Sequence, residues 1–148
     1  MVELYEGAVP VEKVLARWYQ EEAESNYGAF IPFVGTIREE DGISGLSFDI
    51  YEPILESWYD AWCQKAKQAG AIIKMAHSKG DVLLHESSYI AAVFSPKRRV
   101  ALEMIDEFVE DFKASAPIWK YDLKDGKRIY AKDRSTKISG AGLLKISQ

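Results

Sequence analysis

The sequence predicts a single α+β domain. Helical and strand patterns are mixed along the chain without the strict strand–helix–strand alternation of a parallel α/β fold. The 148 residues, 47% of them apolar, are enough for one hydrophobic core. No repeat, low-complexity tract or Pro/Gly-rich linker divides the chain. We therefore place one domain at residues 1–137 and interpret residues 138–148, which include a Ser-Gly-Ala-Gly stretch, as a loosely held tail.

Two helices are predicted in the first half of the chain. Pro10 precedes the first, while Pro53 opens the second and Gly70 stops it. Each has apolar residues at helical spacing, which indicates one buried face. These residues are Val11, Val14, Leu15, Trp18 and Tyr19 in the first helix, and Leu55, Trp58, Tyr59, Trp62, Ala66 and Ala69 in the second.

Strand patterns cover residues 29–37, 46–50, 72–77 and 88–94. The segment 29–37 is typical of a buried strand, in which Pro32 indicates an edge position or a bulge. Residues 88–94 form a continuous apolar run, typical of a strand covered on both faces. Leu46, Phe48 and Ile50 alternate with polar residues, as in a half-buried strand. A turn is predicted at Gly80-Asp81.

A third helix is predicted from Ser95 and Pro96, a good N-cap and first helical residue, to about Lys113, just before Pro117. Its apolar face consists of Ala101, Met104, Ile105, Phe108, Val109 and Phe112. A short strand at 118–121 and a hairpin through Asp125-Gly126 to residues 128–130 complete the predicted fold.

Composition excludes several classes of function. The net charge of −4 gives no support to nucleic-acid binding, which depends on a basic surface. No apolar run approaches the roughly 20 residues of a membrane-spanning helix, and residues 1–6 lack the features of a secretory signal. The single cysteine, Cys63, cannot pair within the chain and has no metal-type spacing around it. We therefore expect a cytoplasmic protein without a metal site.

Basic residues are concentrated near the end of the chain. Residues 113–137 contain eight Lys or Arg and three Asp or Glu, so this segment carries +5 and the rest of the chain −9. Such a segment is either a solvated tail or an anion site.

Arg38 is the first candidate binding residue, because it places a permanent cation where a strand ends. The alternative is that Arg38 pairs with one of the acidic residues that follow it, Glu39, Glu40 or Asp41. Spacing alone favours that alternative.

Lys97, Arg98 and Arg99 place three cations at the start of the third helix, where the macrodipole disfavours positive charge. Helix N-terminal amides together with arginine side chains form a phosphate site, which would explain the conflict. The alternative is that these side chains extend into solvent.

Lys113 and Lys120 bracket a turn from helix to strand, so two amines could converge there. Neighbouring cations and desolvation both lower the pKa of an amine, which would let a lysine act as a nucleophile or acid/base. The alternative for Lys113 is a favourable charge at a helix C-terminus, and Lys120 could be an ordinary outward-facing strand residue. His77 and His85 have no spaced partners that indicate a metal site, and we interpret both as structural.

Five motifs occur in the order found in the large subunit of molybdopterin synthase, and the sequence resembles that family over residues 28–120. The motifs are Phe33-x-Gly35-x-x-Arg38, Tyr51-Glu52-Pro53 with Glu56, His77-x-x-Gly80, Ser95-x-x-Arg98, and Lys113-x-x-Ala116-Pro117-x-Trp119-Lys120. The last is the most specific. The resemblance implies the family's α/β hammerhead fold with a small, mainly antiparallel β subdomain.

The resemblance also implies a function. Such an enzyme is a sulfurtransferase of molybdenum cofactor biosynthesis, and it converts cyclic pyranopterin monophosphate to molybdopterin by two sulfur transfers. A small ubiquitin-like carrier ending in a Gly-Gly thiocarboxylate supplies the sulfur, so no cofactor is needed. The large subunit is a homodimer that binds two carriers. Trp58, Tyr59, Trp62 and residues 88–94 offer apolar surface for the dimer interface.

By the same resemblance Lys113 is the leading catalytic residue and Lys120 supports the substrate and developing anions. Phe33, Arg38, Lys97 and Arg98 join both lysines in binding the anionic substrate. Lys97 stands where the family commonly has histidine, which puts any proton-carrying role of that side chain in doubt. A further basic residue that reaches the neighbouring subunit could be Lys132 or Arg134, or neither.

Two other functions fit the same residues. One is a non-catalytic module that binds a ubiquitin-like protein, with Lys113 and Lys120 serving only as ion-pair partners. The other is a phosphate-ligand sensor that uses Arg38 and Arg98 without any carrier. Substitution of single lysines distinguishes the enzyme from both.

Overall fold

The computed structural model describes residues 1–131, so the predicted boundary at residue 137 and the residues Lys132 and Arg134 lie outside the described part. Within it the strands are β1 (Glu3–Glu6), β2 (Ala29–Thr36), β3 (Gly45–Ile50), β4 (Ile72–Leu83), β5 (Ser87–Ser95), β6 (Ile118–Lys124) and β7 (Lys127–Tyr130). The helices are α1 (Val11–Glu21), α2 (Glu52–Gln68) and α3 (Arg98–Ser115).

The described strands form one sheet in the order β2-β5-β4-β3-β6-β7, with β1 parallel to β4 and the other pairs antiparallel. β4 is long enough to pair with different neighbours along its length, and β5 and β3 lie on opposite sides of it. Ile72 to His77 pair with β5, and Gly80 to Leu83 pair with β3. β3, β6 and β7 therefore extend the sheet as a smaller antiparallel part, which confirms the predicted α+β fold.

The helices cover both faces of the sheet. Trp18 of α1 packs in one core cluster with Ile90 and Phe94, while Phe108 of α3 packs with Val93 on the opposite face. α2 lies on the same face as α3. Because β5 is covered on both sides, every residue in it is buried, as its continuous apolar run predicted.

The segment 29–37 was expected to be a buried strand, and this is wrong. Among the strands of residues 1–131, β2 pairs only with β5 and forms an edge of the sheet, and Phe33 is 40% exposed and Val34 37% exposed. The edge position does agree with Pro32, which has no N–H to donate to a second neighbour. A break in register between Gly35 and Thr36 marks a bulge near its end.

Two predicted boundaries are also wrong. No turn occurs at Gly80-Asp81, because β4 continues through Gly80 at a φ of +76° and the chain reverses around His85 instead. α3 begins at Arg98 with Lys97 as its N-cap, rather than with Ser95. The Ser95 hydroxyl donates to the Lys97 carbonyl at 2.6 Å, so it stabilises the approach to the helix rather than its first turn.

The residues proposed for a dimer interface lie inside the chain. Tyr59 is 4% exposed and Trp62 8% exposed, Trp58 is half-buried, and all of β5 is buried. Their apolar surface is used by the core between α2, α3 and the sheet, so this part of the interface prediction is wrong.

β1 was not predicted, because only four residues form it and two are glutamates. Its position depends on Glu3, which accepts hydrogen bonds from Arg17 and from the Trp18 indole N–H at 2.8 Å. Both donors belong to α1, so the Glu3 carboxylate joins this strand to the helix beside it, together with Tyr5, which packs against the core cluster that contains Trp18.

Candidate functional site

Five rings meet where the end of α3 reaches the sheet, and we call them the aromatic cluster: Phe33, Phe48, His77, Tyr89 and Phe112. Phe112 stacks on Tyr89 with centroids 4.2 Å apart, and Tyr89 contacts Phe33 at 5.8 Å. On the other side, Phe112 contacts His77 at 5.5 Å, and His77 contacts Phe48 at 5.0 Å. The cluster thereby connects α3 with four strands.

Both candidate lysines adjoin this cluster. Lys113 follows Phe112 in the last turn of α3 and is exposed. Lys120 lies directly opposite Phe48 across the β3–β6 pair, so the two side chains share one face of the sheet. Between the lysines the chain turns through Ala116 and Pro117, both buried, which fixes the path from helix to strand.

Phe33 and Arg38 flank the same place along β2 and the residues after it. Gly35 lies directly opposite Tyr89 in the β2–β5 pair. Phe33 is two residues before Gly35 and Arg38 is three residues after it, so each lies within about 10 Å of Gly35 along an extended chain. The Arg38 side chain is 85% exposed and pairs with Glu40 at 3.1 Å. The pairing that spacing favoured is therefore present, and the exposed guanidinium remains accessible to an anion.

Lys97 and Arg98 lie at the opposite end of α3. Arg98 precedes Lys113 by fifteen residues of continuous helix, which places their Cα atoms about 22 Å apart. Within one chain the predicted site residues thus form two groups. The first, which we call the lysine group, contains Phe33, Arg38, Lys113 and Lys120, and the second, the helix-start pair, contains Lys97 and Arg98.

The start of α3 has the cationic character that the sequence indicated. Lys97, Arg98 and Arg99 are all exposed, the first turn contains no acidic residue, and the N-cap residue Lys97 makes no side-chain capping hydrogen bond within the described part of the chain. Positive side chains therefore add to the positive end of the macrodipole without internal compensation in that turn. This arrangement suits an anionic ligand. Side chains that simply extend into solvent would have the same exposure.

His77 is a neutral imidazole in this environment. Its side chain is 2% exposed, and its Nδ1 lies 2.7 Å from the Ser78 carbonyl oxygen. Because a carbonyl can only accept, Nδ1 carries the proton. Burial lowers the pKa of His77 from 6.5 to about 4, although the hydrogen bond to Ser78 opposes this shift. The structural role that the sequence suggested for His77 fits this geometry.

The shifted pKa of His77 predicts acid sensitivity. Between pH 6.5 and 4 the unfolded chain binds a proton at His77 and the folded chain does not, so stability falls as pH falls through this window. We expect a loss of up to about 3 kcal/mol in the free energy of unfolding from this group. Urea unfolding at several pH values measures it. His77→Gln should flatten the pH dependence, whereas His85→Asn, at an exposed histidine, should leave it as in the wild type.

The aromatic cluster is the feature that sequence reasoning missed. Its members come from β2, β3, β4, β5 and α3, so no local spacing connects them. The one local signal was Phe112 immediately before Lys113. Within residues 1–131 no group of three or more His, Cys, Asp or Glu side chains could hold a metal ion. None of the helices there is long and apolar enough to cross a membrane.

Comparison with known proteins identifies the family. The model of the MoaE protein family matches residues 8–115, which include Phe33, Arg38, Lys97, Arg98 and Lys113. The chain belongs to the MoaE family. The resemblance to the large subunit of molybdopterin synthase is thereby confirmed.

Individual members of the MoaE family match over nearly the whole chain. A molybdopterin synthase catalytic subunit from Helicobacter pylori is 49% identical, over 97% of this chain and 99% of its own length. The solved complex of subunits 1 and 2 of the molybdopterin-converting factor from the same organism contains a chain that matches with a TM-score of 0.91, covering 97% of this chain and 98% of that one. Molybdopterin synthase from Staphylococcus aureus, 22% identical, has a TM-score of 0.74 over 86% of this chain and 94% of that one, which shows the shared fold.

Proposed function

We propose that this chain is the catalytic subunit of a molybdopterin synthase, a sulfurtransferase of molybdenum cofactor biosynthesis. The observation that carries the proposal is the 49% identity with a molybdopterin synthase catalytic subunit over almost the full length of both chains. The substrate is cyclic pyranopterin monophosphate, and the product carries two new sulfur atoms as a dithiolene. No cofactor takes part, because the sulfur arrives on the carrier.

The partner is a small ubiquitin-like carrier whose C-terminal glycine bears the thiocarboxylate. Support comes from the related Helicobacter pylori protein, which was solved as a complex of two subunits. The lysine group offers a suitable place for the carrier's tail, since Phe33 is 40% exposed at the edge of the sheet and Lys113 is exposed beside it. A narrow Gly-Gly tail can approach such an edge closely.

The chemistry needs cations where negative charge develops. When the thiocarboxylate carbon is attacked, charge grows on oxygen and sulfur, and a positioned ammonium group stabilises it more strongly in the transition state than in the substrate. Lys113, beside the carrier's C-terminus, takes the leading role, and Lys120 supports the substrate and the developing anions. Either amine could also attack the acyl carbon once it is deprotonated.

The separation within α3 supports a second copy of the chain in each site. If Arg98 binds the same substrate that Lys113 acts on, the distance of about 22 Å between their Cα atoms favours two chains as the source of the two residues. In a homodimer the helix-start pair of one copy can reach the lysine group of the other, where Lys97 and Arg98 bind the phosphate. The complete assembly is then a heterotetramer of two catalytic subunits and two carriers.

We place this assembly in the cytoplasm. The single cysteine, Cys63, is half-buried and has no second cysteine to pair with, which suits a reducing compartment. A thiocarboxylate carrier is also consistent with such an environment, because the reactive sulfur survives there unoxidised.

An assay with two forms of the carrier tests the proposal. The purified chain is mixed with cyclic pyranopterin monophosphate and with either thiocarboxylated or carboxylated carrier, and the dithiolene product is followed. Product should form only with the thiocarboxylate. Tight binding of both carriers without product would instead support the non-catalytic module, and pterin binding that is independent of the carrier, again without product, would support the sensor.

A further inference from the structure

Asp111 connects α2 with the last turn of α3 through three hydrogen bonds. Its Oδ2 accepts from the indole N–H of Trp58 at 2.9 Å and from that of Trp62 at 2.7 Å. Its Oδ1 accepts from the Ser115 hydroxyl at 2.9 Å. Trp58 and Trp62 are four residues apart, so both indoles project from one face of α2 and can reach one carboxylate.

These contacts surround Lys113 on the chain. Asp111 precedes Lys113 by two residues, and Ser115 follows it by two and ends the helix. Trp58 also contacts the ring of Phe112 at 5.9 Å, so the residue immediately before Lys113 packs against the same indole. One carboxylate thus fixes the turn that carries Lys113 and the point where the chain leaves for Lys120.

A carboxylate is unfavourable at this place in a helix. Negative charge near a helix C-terminus opposes the macrodipole and costs a few tenths of a kcal/mol. Burial raises the pKa of Asp111, but hydrogen bonds from Trp62, Ser115 and Trp58 outweigh burial and lower it, so the group is ionised at neutral pH. Natural proteins retain such local conflicts most often at functional sites.

Association of the two helices does not depend on this carboxylate. The rings of Trp58 and Trp62 both pack on Phe108, with centroids at 5.0 and 5.3 Å. One turn earlier, Lys65 of α2 pairs with Glu107 of α3 at 3.6 Å. The apolar contacts bring the helices together, and the Asp111 hydrogen bonds add a fixed geometry at the end of α3.

We propose that Asp111 is a positioning residue for sulfur transfer, which holds the Lys113 turn and the exit toward Lys120 in the geometry that the reaction needs. The inference rests on the proposed function. It assigns Asp111 no contact with substrate, so its effect passes through the position of the lysines. We call the three hydrogen bonds of Asp111, from Trp58, Trp62 and Ser115, the Asp111 clamp. Its loss should lower the rate of the chemical step more than it lowers the affinity for the carrier.

Three variants test this inference in the complete enzyme with carrier and pterin substrate. Asp111→Ala removes all three hydrogen bonds. Asp111→Asn can keep them, because its amide oxygen accepts from both indoles and its NH₂ donates to the Ser115 hydroxyl. Glu107→Ala is the matched control, since it removes a contact between another α3 carboxylate and α2, one turn before Asp111.

The expected results separate positioning from stability. Asp111→Ala should lower kcat about 10- to 100-fold, in line with the sensitivity of rates to misplacement of about 1 Å, while KM for the carrier stays within about twofold. Asp111→Asn should recover most of kcat, and Glu107→Ala should keep the wild-type value. Urea unfolding of each variant, measured at the assay temperature, confirms that the variant is folded in the kinetic assay.

Several results would overturn the inference. They are wild-type kcat in folded Asp111→Ala, an equal loss in Glu107→Ala, or no recovery in Asp111→Asn. If Asp111→Ala does not fold, Ser115→Ala and Trp62→Phe each remove one donor, and wild-type kcat in both would overturn it. The two failures are distinguishable. If the wild-type chain binds thiocarboxylated carrier but forms no product, the proposed function is wrong; if the wild type is active and the variants give the results above, only the inference about Asp111 is wrong.

Discussion

Replacement of Lys113 by alanine should abolish sulfur transfer while the carrier still binds. Lys113 is exposed beside the aromatic cluster, where its ammonium can meet the charge that develops at the carrier's acyl group. The loss of such a group costs about 10²-fold or more in kcat. Carrier affinity should change little, because a buried interface core rather than a single exposed charge supplies most binding energy.

The control for this experiment is Lys13→Ala. Lys13 is an exposed lysine on α1, which covers the opposite face of the sheet from α3, and its removal should leave turnover unchanged. Wild-type turnover in Lys113→Ala would exclude a catalytic role for this lysine. Loss of carrier binding in Lys113→Ala, in proportion to the loss of product, would assign it the ion-pair role of the non-catalytic module.

Two inactive variants should restore activity to each other when their copies exchange. In a mixed dimer of Lys113→Ala and Arg98→Ala copies, one of the two sites receives an intact Lys113 from one copy and an intact Arg98 from the other. With half of the dimers mixed, and one functional site in each, we expect about a quarter of wild-type activity. The measurement is turnover after the two proteins have been mixed and allowed to exchange subunits.

The result depends on the geometry of α3. If Arg98 served the Lys113 of its own chain, every site in the mixture would lack one of the two residues, and no activity would return. Such a result would contradict the proposal, based on the distance of about 22 Å along the helix, that Arg98 of one copy serves Lys113 of the other. A mixture of Lys113→Ala with Lys120→Ala is the control, since both lysines belong to one group and no site in it regains both.

Most helices and strands could be predicted, because each depended on a pattern within its own segment. The apolar stripe of α2 and the continuous run of β5 are examples, and both occur where expected. The errors arose where contacts with distant parts of the chain determine whether a segment is buried or where it ends. Burial of β2 depends on whether a second strand covers its outer side, and the φ of Gly80 lets β4 continue where a turn was expected.

The candidate site could be predicted in part. The two lysines that bracket a turn do adjoin one cluster, and Phe33 and Arg38 lie beside it. The separation of Arg98 and Lys113 was implicit in the predicted length of the third helix, but that length bears on the site only once both residues have a proposed ligand. The Asp111 clamp was missed as well, although an acidic residue in a last helical turn opposite two tryptophans four residues apart was a readable signal.

A single-turnover reaction with isotopically labelled sulfur tests the central claim most directly. The chain is mixed with carrier that bears a labelled thiocarboxylate and with cyclic pyranopterin monophosphate, and the label is followed in the pterin and in the carrier. We predict that the label moves into the pterin as carrier carboxylate appears, with two carriers consumed for each dithiolene. Label that stays on a tightly bound carrier would contradict sulfur transfer and support the binding module.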